Sequence, residues 1–217
     1  MYKYILFDFD GTVFDTVEGI TKSVQYALAK RGIEAELDSL RCFAGPPLVD
    51  MFMEKFDLSQ EEAEAATEDF RERYQPIGLY ECRVFPGIKE LLRSLIDAGL
   101  HVGIATSKPQ HLAEELLEGE GMLELFEVIS GSDSDGHNNS KAAVLTRAMN
   151  ALGADRKETV LVGDTKYDVA GAKACGVECI GVRYGYAAEG ELAAAGADHI
   201  VNDLQQLKAL LLNKEEE

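Results

Sequence analysis

Cationic side chains are scarce in this chain of 217 residues. Lys and Arg number 21 against 39 Asp and Glu, a formal net charge of −18. A surface that negative repels phosphate backbones and anionic lipid. A nucleic-acid polymer is therefore not an expected partner. A small anionic substrate remains open only where a local positive pocket or a metal overcomes the overall field. Long apolar runs are also missing. None reaches the ~18 residues that a membrane span needs, so no membrane association is expected. The first residues, Met1 to Asp8, meet an acid after a short apolar stretch, unlike a signal peptide. Cysteine is sparse. Cys175 and Cys179 form CxxxC, not a usual zinc spacing, and no His pair accompanies them. Cys42 and Cys82 stand apart, so reduced thiols in a cytoplasmic protein are the expectation. The chain holds no internal repeat, and its one charge-biased tail is 214–217.

What is present is an ordinary globular composition, 46% hydrophobic and 28% charged, which excludes a disordered chain. Short β-rich runs alternate with helical patterns. The runs are 4–7, 101–105, 126–129, 159–162 and 178–182, with a short sixth at 199–201. Several are almost wholly apolar, as strands covered on both faces must be. Between them, Ile88, Leu91, Leu92, Leu95 and Ile96 recur at helical spacing, with Gly99 as the stop. Pro109 fits a first helical turn. This alternation predicts an α/β fold, a doubly wound parallel sheet with a Rossmann-like core. One segment breaks the rhythm. Between the first strand and His101 lie helical signals and no convincing strand. Asp15 with Glu18, and Ser59 with Glu62, have capping-box spacing, and Leu48, Met51, Phe52 and Phe56 suggest a helix between them. Residues 16–81 are read as a small all-helical insert, with 1–15 and 82–217 forming the core.

Chemistry-bearing residues cluster at predicted strand ends, where parallel sheets bind ligands. The first strand runs into Asp8-Phe9-Asp10-Gly11-Thr12. An extended backbone would point both carboxylates the same way, and Gly11 lets backbone N–H groups approach an anion. A polar turn accounts equally for this motif taken alone. The next strand ends in Thr106-Ser107, hydroxyls placed to hold a phosphate oxygen or simply to cap the following helix. Gly131 to Lys141 reads as neither strand nor helix. Ser140 has N-cap character, putting Lys141 at the first helical position, where its charge opposes the helix dipole. The fourth strand ends in Gly163-Asp164, with Asp168 four residues on; a cap plus a surface acid is the plain alternative. Together, acids suited to a hard divalent cation, a hydroxyl and a lysine are the parts needed to handle a phosphoryl group.

Asp8-Phe9-Asp10-Gly11-Thr12, Thr106, Lys141 and Gly163-Asp164 with Asp168 resemble, in order, the four motifs of the haloacid dehalogenase-like hydrolase superfamily. The resemblance spans essentially the whole chain and includes a helical cap after the first motif. Gly45-Pro46-Pro47, Tyr80-Glu81, Phe85-Pro86-Gly87 and Tyr184-Gly185-Tyr186 are similar to its phosphoglycolate phosphatase and 5'-nucleotidase-like branch. That resemblance implies a Mg2+-dependent phosphatase of a small phosphorylated metabolite, expected as a monomer or weak homodimer. It implies that Asp8 is the nucleophile and Asp10 the general acid and base. Mg2+ would be held by Asp8, the Asp10 carbonyl and Asp164, with Asp168 acting through water. Gly11, Thr12, Thr106, Ser107 and Lys141 would cradle the phosphoryl group. A halide leaves without a proton, so the second acid, Asp10, argues for phosphate chemistry. A sugar phosphomutase shares these motifs. A phospho-accepting receiver module uses similar groups but carries its reactive Asp on a later strand. In the insert, Arg41, Lys22, Arg71 and Arg73 are candidates for reading a carboxylate. Phe43, Phe52, Tyr74 and Tyr80 are candidates for a nucleoside.

Overall fold

The computed structural model of the chain describes residues 2–133 and 140–212. In chain order its elements are β1 (Tyr4–Phe7), β2 (Phe14–Asp15), α1 (Val17–Ala29), α2 (Leu48–Phe56), α3 (Gln60–Tyr74), β3 (Arg83–Val84), α4 (Ile88–Asp97), β4 (His101–Pro109), α5 (Gln110–Gly119), β5 (Val128–Ser132), α6 (Lys141–Leu152), β6 (Thr159–Gly163), α7 (Lys166–Cys175), β7 (Glu178–Val182), α8 (Glu191–Ala195), β8 (His199–Val201) and α9 (Leu204–Leu211). The chain divides into two compact units, Met1–Val13 with Val84–Glu217, and Phe14–Arg83.

The first unit is built on a six-stranded sheet of order β5-β4-β1-β6-β7-β8. Every pairing in it is parallel. The strands are apolar on both faces because both are covered: Ile5, Leu6 and Phe7 of β1 and Val160, Leu161 and Val162 of β6 are fully buried. Leu6, Ala105, Leu161 and Cys179 share one core with Val144, Leu145 and Ala148 of α6, Val169 and Ala172 of α7, and Leu192 of α8. Full burial of a side chain of this size contributes roughly 1.5–3 kcal/mol. The order matters for function. From β1 the chain builds outward through β4 to β5, then crosses back to β6 and builds the other way. The direction reverses at β1 and β6, so a crevice opens beyond their carboxyl ends.

Three boundaries differ from the sequence reading. Pro109 ends β4 and α5 starts at Gln110, because the strand continues past Ala105 through an irregular register to pair Pro109 with Ser132. β5 begins at Val128 and takes in Gly131 and Ser132, which had read as loop. Residues 134–139 of that loop lie outside the described residues. Two short strands also appear where none was expected: β2 and β3 pair as a two-stranded sheet, with Asp15 and Arg83 ion-paired at 2.9 Å.

The second unit is helical. Val24, Ala27 and Leu28 of α1, Phe52 of α2, and Ala63 and Ala66 of α3 are fully buried. Ser59 and Glu62 form the expected capping box at the start of α3, with Ser59 N donating to Glu62 Oε2 at 2.9 Å. The N-cap of α1 is Thr16, one residue beyond the expected Asp15, and has no side-chain capping bond of its own; Asp15 pairs with Arg83. The aromatic candidates Phe43, Phe52 and Tyr74 are buried in the unit's own core, with the Phe43 and Phe52 rings 5.0 Å apart; Tyr80 is exposed. Arg73 and Lys22 both pair with Glu81, at 2.9 and 3.0 Å, and Arg71 pairs with Glu68. No helix among the described residues is long and apolar enough to cross a membrane.

Candidate active site

The carboxyl ends of β1 and β6 carry Asp8 and Asp164. Leu6 faces the layer formed by α6 and α7. Two residues further on, Asp8 lies on the same side of the strand. There it meets the first residue of α6, Lys141, and the third of α7, Asp168. Lys141 Nζ lies 2.6 Å from Asp8 Oδ1 and 2.9 Å from Asp168 Oδ1, and donates to the Ala105 carbonyl at 3.2 Å. The helix start is fixed by Ser140, whose hydroxyl accepts from Ala143 N at 3.2 Å. Lys141 is therefore buried against acids rather than solvated.

Asp8, Asp164 and Asp168 each present a carboxylate oxygen within 4.8 Å of the others. Asp164 and Asp168 are completely buried and Asp8 is 5% exposed. Their supports differ. Asp168 Oδ2 accepts from the N–H and the hydroxyl of Thr165, at 3.0 and 2.9 Å. Asp164 Oδ2 accepts from Tyr186 N at 2.7 Å, and its Oδ1 from the Thr12 hydroxyl at 3.2 Å. The backbone packs so closely here that two glycines are required. A Cβ on Gly11, which has φ +80°, would sit 2.2 Å from Asp164 Oδ2, and one on Gly185 would sit 2.3 Å from Asp164 Cβ.

Three carboxylates and one ammonium leave two excess negative charges in a buried cluster. Burial raises the Asp8 pKa most; Lys141 opposes this, Asp168 adds to it, and the result is about 7 against an ordinary 3.8. Burial, then the charges of Asp168 and Asp8, push Asp164 well above the ordinary range. Burial works against the charge on Lys141, but Asp168 and Asp8 outweigh it and hold the ammonium above its usual value. Asp8 Oδ1 and Asp168 Oδ1 both turn to the one ammonium of Lys141, at 2.6 and 2.9 Å. Three hard carboxylate donors within 4.8 Å of one another and two uncompensated negative charges suit a divalent cation. The residues fit such an ion.

The other predicted residues fall around this cluster. Asp10 does not join the three acids. Strand β1 ends at Phe7, so the extended geometry expected of Asp8 and Asp10 is not kept, and the Asp10 carboxylate pairs instead with Lys108 Nζ at 3.1 Å. Both donors of Thr12 are engaged, the hydroxyl by Asp164 and the N–H by the Phe9 carbonyl at 3.3 Å. Thr12 thus braces Asp164. Thr106 is buried, and its oxygen accepts from Lys108 N at 3.2 Å, which leaves the hydroxyl hydrogen to donate. Ser107 beside it is half-buried. Sequence reasoning gave no role to Lys108 or to the 184–186 turn. The signal for Lys108 was available: it is a cation in the same strand-end motif as Thr106 and Ser107. The Tyr186 N–H is a backbone donor and leaves no mark in side-chain chemistry.

Comparison with known proteins agrees with this arrangement. A family model described as haloacid dehalogenase-like hydrolase matches residues 5–182. A 5'-nucleotidase of Pseudomonas aeruginosa is 41% identical over 97% of this chain and 96% of its own. A plasmid phosphoglycolate phosphatase of Cupriavidus necator is 35% identical over 95% and 92%. The crystal structure of a predicted phosphatase from Clostridium acetobutylicum superposes with a TM-score of 0.94 at 41% identity, covering 98% of this chain and 99% of that one. The match runs from β1 through β7 and so takes in all four residues of the cluster: the chain belongs to the haloacid dehalogenase-like hydrolases.

Proposed function

We propose that this hydrolase is a Mg2+-dependent phosphatase of small phosphomonoesters that works through an aspartyl-phosphate on Asp8. The observation that carries the reading is the buried group of Asp8, Lys141, Asp164 and Asp168 at the reversal point of the sheet. The relatives named 5'-nucleotidase and phosphoglycolate phosphatase support nucleoside 5'-monophosphates and phosphoglycolate as leading substrates. Asp8, Asp164 and Asp168, with the Asp10 carbonyl, are the residues that would hold Mg2+. When bound, the ion cancels the repulsion between an anionic nucleophile and an anionic ester.

The chain's own groups do the rest. The Asp8 carboxylate attacks phosphorus. As that O–P bond forms, the ester P–O bond breaks and the leaving oxygen takes the proton of Asp10. Asp10, now a carboxylate, accepts a proton from water as the water oxygen bonds to phosphorus. The bond from Asp8 to phosphorus then breaks, releasing inorganic phosphate. Lys141, the Thr106 and Ser107 hydroxyls and the N–H at Gly11 stabilise the charge on the phosphoryl oxygens. The test is phosphate release from nucleoside 5'-monophosphates, phosphoglycolate and sugar phosphates, with Mg2+ and with chelator. Release is expected with Mg2+ only, and Asp8→Asn should abolish it. Undiminished turnover in excess chelator or in Asp8→Asn would overturn the reading.

A further inference from the structure

Lys108 is buried beside the site and has no part in the chemistry above. Its side chain is 3% exposed, and its Nζ lies 3.1 Å from Asp10 Oδ1. A lysine buried that deeply needs a fixed partner. The ammonium also lies 5.6 Å from the centroid of the Phe9 ring, and the backbone N–H is held by Thr106 Oγ1. A bulge sets this placement. Strand β4 advances four residues from Ala105 to Pro109 while β5 advances two, from Ser130 to Ser132. Bulges beside active sites re-aim side chains, and Thr106, Ser107 and Lys108 are the residues inside this one. The ammonium that pairs with Asp8 and Asp168 in the metal-type cluster is that of Lys141, whereas Lys108 pairs with Asp10. Its partner Asp10 differs from the clustered acids in keeping 14% of its side chain exposed, where Asp168 keeps none.

We propose that Lys108 is a positioning residue for Asp10. Its ammonium fixes one carboxylate oxygen, aims the other at the leaving-group oxygen, and meets the negative charge Asp10 acquires as its proton departs. Lys108 itself gives and takes no proton; the proton passes from Asp10 to the leaving oxygen as the ester bond breaks. An interaction that strengthens as charge develops lowers the barrier rather than improving ground-state binding. The inference rests on the acid role assigned to Asp10 under the phosphatase reading.

The test compares two esters with Lys108→Met, which keeps the length and removes the charge. One is a nucleoside 5'-monophosphate, whose alkoxide must be protonated to leave. The other is p-nitrophenyl phosphate, whose phenolate leaves unaided. The expected result is a fall in kcat of about 100-fold or more on the nucleotide and of about fivefold or less on the aryl ester. KM should change little, and Lys108→Arg should recover most of the nucleotide rate. Equal losses on the two esters would overturn the inference. So would loss of the folded circular dichroism signal in both variants, which would assign the pair to packing. A wild-type protein that releases phosphate from none of nucleoside 5'-monophosphates, phosphoglycolate, sugar phosphates and p-nitrophenyl phosphate would instead remove the phosphatase reading, and this inference with it, so the two failures are distinguishable.

Discussion

Stripped of divalent cations, the protein should become more stable as the solution is acidified from roughly pH 8 to roughly pH 5.5, the reverse of ordinary acid denaturation. Burial raises the folded-state pKa of Asp8 to about 7, from an ordinary 3.8. Below pH 7 the native state therefore holds a proton that the unfolded chain, still ionised at that site, does not. Stability gained this way is largest at low pH and is lost as pH rises through 7. Each pH unit below the native value adds ~1.4 kcal/mol, so the window spans about 2 kcal/mol for Asp8 alone. Asp164, raised mainly by burial, acts in the same direction. Carboxylates whose values are depressed, such as Glu81 hydrogen-bonded by Arg73, lose their contribution only below the ordinary carboxylate range, outside this window. Urea unfolding in chelator reads the effect directly. With a slope of roughly 2–3 kcal/mol per molar, the midpoint should rise by roughly 0.7–1 M on acidification. Asp8→Asn should be more stable than wild type near pH 8 and show a shallower dependence. A midpoint that stays flat or falls on acidification, or an undiminished slope in Asp8→Asn, would refute the account of the cluster as a buried excess of negative charge.

Other outcomes follow from the same geometry. Lys141→Met leaves Asp8 and Asp168 without their shared counter-charge and should lower stability by about 3–5 kcal/mol near neutral pH; a thermal midpoint within a few degrees of wild type in chelator would contradict this. Gly185→Ala places a Cβ 2.3 Å from Asp164 Cβ, so Asp164 must move. Mg2+ affinity by titration calorimetry should fall about 10–100-fold, and an unchanged affinity would show that Asp164 is not held as described.

Much of this architecture was legible because its signals are local. Apolar runs, the helical spacing of Ile88 to Leu95, the Ser59–Glu62 box and the Ser140 cap each involve residues within a turn or a strand of one another. The reading failed where a distant partner won. Asp15 pairs with Arg83, 68 residues away, and α1 takes Thr16 as its N-cap. Pro109 stays in β4 because Ser132 pairs with it. The site divides similarly. Asp8 and Asp164 directly follow strands β1 and β6, Lys141 and Asp168 lie in the first turns of the helices α6 and α7, and one parallel sheet gathers these ends. The partners of Thr12 and Asp10 depend on how the chain turns after Phe7, at a glycine with positive φ, and on a bulge in another strand. Periodicity carries no record of either.

The two ends of the helical unit enter and leave side by side, since β2 and β3 are hydrogen-bonded neighbours and Asp15 is tied to Arg83. A segment whose two ends are stapled together is, topologically, a handle. It can be lengthened, replaced or cut back to a tight turn without altering which strands of the main sheet lie next to each other. Natural variation in such a handle can therefore proceed while the acids and lysines carried by the sheet stay where they are.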